Sequence, residues 1–266
     1  TVNSEKGHYG FVAEKVYPDP PADKAGGKRS DVIMMVRSSY ITSSNYYQYF
    51  MSIENNSVSE LKLKLKRQTD GESYDATLRK SAYDKTPVMH YEVIELEGKK
   101  IGYLVYTSFD QEYNEAMLDA IKELKAAGAE EFILDLRCNG GGSVASAVKL
   151  CSALVPERLN GGVLCSLERN KKNSEMESKS KFCLEGAGEI LSLERLTVIC
   201  SDYSASASEL VVMGLRGLDF PVMLVGSQTE GKNCGMDVTR KTIEGVSLEF
   251  APITFMCFNA KGFGGW

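Results

Sequence analysis

The chain has 266 residues, 43% hydrophobic and 25% charged, with a net charge of -5, a balance that suits a folded protein with a full-sized core and room for two domains. It lacks the basic excess that nucleic-acid binding requires, and no apolar run approaches the ~18 residues of a membrane span, so neither a nucleic-acid partner nor an integral membrane segment is expected. Two histidines, His8 and His90, and an odd set of seven cysteines with no C-x-x-C pair argue against a His-based triad, a metal site and a disulfide framework; free core thiols and no cofactor are the expectation.

From the start, the chain reads as a fragment: Thr1 is not an initiator methionine, no signal-like segment follows it, and residues 262–266 end in what reads as mid-loop. Residues 6–83 read as a small β-rich domain. A strand over 10–16 is broken by Tyr17-Pro18-Asp19-Pro20-Pro21, a short helix over 22–26 ends on Gly26, and a strand returns over 31–36. Residues 43–51 are aromatic and helical in pattern. Leu61, Leu63 and Leu65 then alternate with Lys62, Lys64 and Lys66, a two-residue period that predicts a half-buried strand with a solvated lysine face, in preference to a nucleic-acid patch. Gly71 turns the chain into a pairing strand over 74–78.

The stretch 81–91 holds the domain boundary, and residues 88–266 form the second domain. Strands over 91–96 and 101–106 make a hairpin around Glu97-Gly98. The run 108–111 caps a helix whose positions Tyr113, Met117, Ala120, Ile121 and Leu124 follow a 3.6 period up to Gly128. A buried strand over 132–136, a helix along 144–155 and a strand over 196–200 continue an alternation that predicts a layered α/β core with a largely parallel sheet.

Sites in such sheets form at the carboxyl ends of strands, where three loops fall: 137–142, 202–206 and 227–233. The first is rich in glycine and can expose its amides as an anion nest. In the second, Ser206 stands at a helix start with Glu209 three residues on, a capping box in its plain reading; small neighbours and free helix amides also suit it to a reacting group. The third nearly spells a phosphate loop, but Asn233 replaces the metal-binding hydroxyl and β-formers follow where a helix is needed. Lys232 is thus left as a surface lysine or as an amine delivered into the crevice, where a hydroxyl, an amine and backbone donors together would make a Ser-Lys nucleophile system.

The residues Gly102-Tyr103, Ser108-Phe109, 134–142 (Leu-Asp-Leu-Arg-Cys-Asn-Gly-Gly-Gly), 204–209, Leu224-Val225-Gly226 and Gly231-Lys232 resemble the catalytic domain of the C-terminal processing, or tail-specific, serine peptidases. Similarly, Tyr9-Gly10-Phe11-Val12, with 21–26 and Asp31-Val32-Ile33, resembles the PDZ domain that precedes it, although His8 and Ser30 stand where that domain keeps glycines. The resemblance implies a crotonase/tail-specific-protease-like core that cleaves near protein C-termini without a cofactor. Ser206 would be the nucleophile, with Ser204 and Ser208 as competing positions, and Lys232 the general base. Lys232 would be buried against apolar side chains so that it is neutral. Ala207 and Gly140 or Gly141 would supply the oxyanion hole. Tyr9, Gly10, Phe11 and Val12 would hold the carboxylate of a peptide partner, and the location would be extracytoplasmic, in a bacterial periplasm or at a cell surface. One departure stands out: Met236 occupies the position, four after the lysine, where many relatives orient it with Gln or Glu. The competing readings are a degenerate core that binds peptide or a small apolar ligand without cleavage, and a crotonase-like thioester enzyme, which fold analogy alone supports.

Overall fold

A computed structural model of the chain describes residues 9–17, 20–54, 59–170, 172 and 181–264. His8, Pro18, Asp19, the start of the first domain and Gly265-Trp266 lie outside the described residues. The chain divides into two compact units between Lys85 and Thr86.

The first unit is an antiparallel sheet with two helices. Strand β1 (Phe11–Val12), helix α1 (Pro21–Lys24), β2 (Val32–Val36), β3 (Ser39–Tyr40), α2 (Tyr46–Glu54), β4 (Glu60–Lys66) and β5 (Ser73–Arg79) follow in order. The sheet runs β1-β2-β4-β5, with β3 also on β2. Strand β4 shows the predicted alternation: Leu63 and Leu65 are buried in a small core with Val36, Ile41 and Ala76, while Lys62 and Lys64 face water. The expected strand over 10–16 shrinks to two residues; beyond them Ala13 bonds the Ser30–Asp31 turn instead of a neighbouring strand. Tyr9 stacks on Tyr46 with ring centroids 6.2 Å apart, and Phe11 lies 6.3 Å from Phe50.

The second unit opens with a hairpin, β6 (Val88–Leu96) and β7 (Lys99–Tyr106). Helix α3 (Asn114–Ala126) leads to β8 (Glu131–Asp135), and α4 (Val144–Leu154) to β9 (Val163–Arg169) and β10 (Lys181–Cys183). Then come β11 (Leu196–Cys200), α5 (Ala207–Gly217), β12 (Val222–Gly226), β13 (Cys234–Met236), β14 (Thr239–Ile243), β15 (Val246–Phe250) and β16 (Ile253–Phe258). One sheet is ordered β12-β11-β8-β7-β6, with β7, β8, β11 and β12 mutually parallel and β6 antiparallel at the far edge. Alternation along its strands decides the layering: Leu104, Tyr106, Leu134, Leu136, Leu196 and Val198 pack fully buried with α3, α4 and α5, whereas Tyr103, Val105, Ile133, Thr197 and Ile199 on the opposite face are half-buried. Burying one such leucine contributes on the order of 2 kcal/mol.

A second, wholly antiparallel sheet, β10-β9-β16-β13, and the separate hairpin β14-β15 follow no pattern read from the sequence. All seven cysteines are free, and Cys151, Cys165, Cys200 and Cys257 are buried. Among the described residues no helix is long and apolar enough to cross a membrane.

Candidate active site

Strands β8, β11 and β12 are neighbours, so the three loops leaving their carboxyl ends meet. Ser206, at the end of the β11 loop, enters α5 with φ +57° and ψ -114°. A non-glycine residue held in that region costs on the order of 1–3 kcal/mol and persists where its surroundings over-determine it. Two buried serines do so here. The Ser204 hydroxyl donates to Leu136 O at 2.7 Å and that of Ser208 to Asn139 O at 2.8 Å. Both competing positions are thereby committed to backbone carbonyls, while Ser206 lines a cavity of about 210 Å³.

Lys232 lines the same cavity, together with Gly140, Gly142 and Ala207. It is half-buried, less enclosed than the buried, neutral amine that the resemblance implied, and the strand that follows it lies at the edge of the second sheet. Strands, not a helix, follow the lysine, so the phosphate-loop resemblance has no structural counterpart. Met236 is also on the cavity wall, 37% exposed. Val144, Leu210, Met213, Phe255 and Cys257 give the cavity apolar walls, and Asn233 adds a polar amide beside the lysine. Burial pushes the Cys257 thiol up to about 11, so the cavity wall carries no thiolate there near neutral pH.

The residue that sequence reasoning undervalued is Glu209. Its carboxylate, 2% exposed, accepts the Ser206 N–H at 2.7 Å, as a capping box requires. It also accepts the N–H groups of Gly231 at 2.6 Å and Lys232 at 2.9 Å. One buried carboxylate thus ties the serine turn to the lysine loop, and the Glu230 N–H bonded to Ser204 O at 3.0 Å adds a second tie. The Ser-x-x-Glu spacing could reveal the first bond but not the other two.

Asn139, fully buried, organises the glycine loop. Its Nδ2 donates to Tyr106 O at 3.0 Å, and its Oδ1 accepts the Gly141 N–H at 2.9 Å. The amide of Gly141 is therefore engaged, which leaves Gly140 and Ala207 as the oxyanion-hole candidates on the cavity wall. Gly141 has another reason to be glycine. Its φ is +103°, and a Cβ there would lie 2.7 Å from Ser206 Cβ and 2.9 Å from Ala207 N. Phe109 anchors the loop from outside, donating its N–H to Gly141 O and accepting from Ser143 N. Behind it, Asp135 is buried and receives Arg137 Nε at 2.9 Å, Arg137 N at 3.0 Å and the Tyr103 hydroxyl at 2.8 Å. Burial alone would push the Asp135 carboxyl up; these bonds outweigh it and hold it below the ordinary carboxylate value.

Over residues 100–251, more than half its length, the sequence matches the profile of peptidase family S41. The chain belongs to that family. It is 28% identical over 214 residues to the carboxy-terminal processing protease CtpA of Bacillus subtilis, and 26% identical over 228 residues to the chloroplastic carboxyl-terminal-processing peptidase 2 of Arabidopsis thaliana. These alignments take in 80% and 84% of the chain, which spans 42% of the length of each relative. Among solved structures, a Bacteroides fragilis chain assigned to the S41 proteases superposes with a TM-score of 0.79 at 26% identity, covering 100% of this chain and 71% of that one. The photosystem II D1 C-terminal processing protease shares the fold, with a TM-score of 0.55 at 21% identity, covering 99% of this chain and 67% of that one.

Proposed function

We propose that this S41 chain carries the catalytic machinery of a serine endopeptidase that cuts proteins near their C-termini through an acyl-enzyme. The observation that carries the reading is that Ser206, alone among the three serines of its turn, opens on the cavity that Lys232 lines. Ser206 Oγ attacks the scissile carbonyl and its proton passes to Lys232 Nζ. The Ala207 and Gly140 amides receive the oxyanion, and Lys232 returns the proton to the leaving amine. Water then attacks the ester with Lys232 again as base. The apolar walls Val144, Leu210, Met213 and Phe255 favour an apolar side chain before the cleaved bond.

The first unit is, in this reading, a PDZ-like module. Strand β1 stands at a sheet edge, where an extended peptide can add; Gly10 and Val12 offer the amides for its terminal carboxylate, while Phe11, in register with Ile33, turns its backbone to β2 as Ala13 does and contributes its ring. Tyr9 contributes its ring, since its N–H is bonded to Ile41 O at 2.9 Å. The substrate is thus a protein with a free C-terminus, met outside the cytoplasm, in a bacterial periplasm or at a cell surface. A second reading rests on Met236: a thioether cannot orient an amine, and a core without an orienting partner would bind peptide without cutting it. A fluorophosphonate probe decides between them. Labelling that vanishes in Ser206→Ala and in Lys232→Ala supports the peptidase; an unlabelled protein across the pH range leaves the binder.

A further inference from the structure

Strand β12 is the outermost strand of the five-stranded sheet, paired on one side with β11. Pro221 O accepts Leu196 N and Ser227 N donates to Cys200 O, so the odd-numbered residues face β11, and by alternation Val222, Leu224 and Gly226 turn their backbone groups outward. An open edge is ordinarily blunted by charge, a bulge or an interior proline. This one, Val-Met-Leu-Val-Gly, has an unbroken register and no charge. Met223, Leu224 and Val225 are 59%, 36% and 48% exposed.

Against that edge lies a second cavity of about 570 Å³, with Leu224 and Gly226 on its strand side, Met213 and Phe263 as apolar surface, and Arg216 and Lys261 as cations. Arg216 donates to Val222 O at 3.1 Å, which closes one acceptor of the edge and places a guanidinium beside it. Lys261 pairs with the exposed carboxylate of Asp219, so a peptide carboxylate reaches this amine by displacing that side chain into solvent. The cavity is also walled by Ser227, Gln228 and Thr229, the start of the loop that delivers Lys232. Met213 lines both this cavity and the catalytic one.

We propose that the β12 edge is a second peptide-binding site. An extended peptide adds there as a sixth strand through the backbone groups of Leu224 and Gly226, sets an apolar side chain against Met213 and Phe263, and places a carboxylate on Lys261. Open donors and acceptors, an apolar floor and a cationic rim are what a strand-forming, carboxylate-bearing peptide requires. The further step, that occupancy steadies the 227–232 loop and so raises the rate at Ser206, rests on the peptidase reading above; binding at the edge does not.

Hydrogen exchange on Ser206→Ala separates the two, because this variant binds without turning over. With a short leucine-rich peptide bearing a free C-terminus, exchange of segment 222–229 slows. The C-terminally amidated peptide and Lys261→Gln each weaken this protection about threefold, as expected for one exposed ion pair, and Leu224→Pro, which removes a donor from the edge, abolishes it. Peptide binding that leaves 222–229 unprotected overturns the proposal. So does protection already present without peptide, which would mean that a second copy or the chain's own continuation covers the edge; sedimentation distinguishes those two. If Leu224→Pro fails to fold, Lys261→Gln and the amidated peptide still decide.

Discussion

The two walls of the candidate catalytic cavity are built differently. The serine wall grows from β8, β11 and α5, where nearly every apolar side chain is buried and Ser204, Ser208 and Asn139 bond the backbone around the turn. The lysine wall comes from the region 222–253, where Met223, Val225, Val238, Ile243, Val246, Phe250 and Ile253 are exposed. The proposed nucleophile, Ser206, is held in a strained turn, and that strain is offset by dense packing. The proposed base needs only to arrive, and what holds its loop is chiefly one carboxylate, Glu209. Position at this site is thus maintained by rigidity on one side and by a tether on the other.

That contrast can be broken in graded ways. Replacing a reacting group has the largest effect: Ser206→Ala and Lys232→Ala each lower kcat/KM for a peptide substrate by about 10³-fold or more, while urea unfolding midpoints stay near the parent value. Glu209→Ala comes next. It strands three partly buried N–H donors, with a cost of about 3 kcal/mol in unfolding free energy, and it lowers the peptidase rate even at temperatures where the fold persists. If the rate holds while stability falls, the carboxylate is only a cap. Gly141→Ala strikes the serine wall directly. A Cβ 2.7 Å from Ser206 Cβ, at positive φ, costs about 2 kcal/mol and shows as a loss of kcat with little change in KM.

A smaller effect comes from pH. The Asp135 carboxyl is held below its ordinary value when folded, so its contribution to stability is complete above its unfolded pKa, ~3.9, and is lost as pH falls through the folded value. Urea titrations stepped downward from pH 5 show this decline, and in Asp135→Asn it is reduced. Least of all, Phe250→Ser in the exposed hairpin changes stability by no more than about 0.5 kcal/mol; a larger loss in thermal unfolding would mean that the lysine wall is packed more tightly than its exposure indicates.

Local pattern made much of the molecule legible. The strand Leu196–Cys200 and the start of α5 lie where hydrophobic run and cap place them, and the Leu/Lys alternation of β4 is a sheet face. The elements missed were those of the second sheet. Val163–Arg169 and Ile253–Phe258 pair with each other and with short strands, so their partners, rather than any period of their own, define them. In the site, the glycine loop, the middle serine and the lysine were visible as types at spacings. The three bonds on Glu209, the engaged amide of Gly141 and the partial exposure of Lys232 were not.

The sequence by itself therefore determined the elements of the parallel core, the family they compose and which side chains have the chemistry to react, because helix period, strand alternation and caps act over a few residues. Only the tertiary structure decided which hydroxyl is free and which amide is taken. Those outcomes depend on bonds such as Ser208 to Asn139, 69 residues apart, and Lys232 to Glu209, 23 apart, and such bonds exist only once β8, β11 and β12 have come to lie side by side.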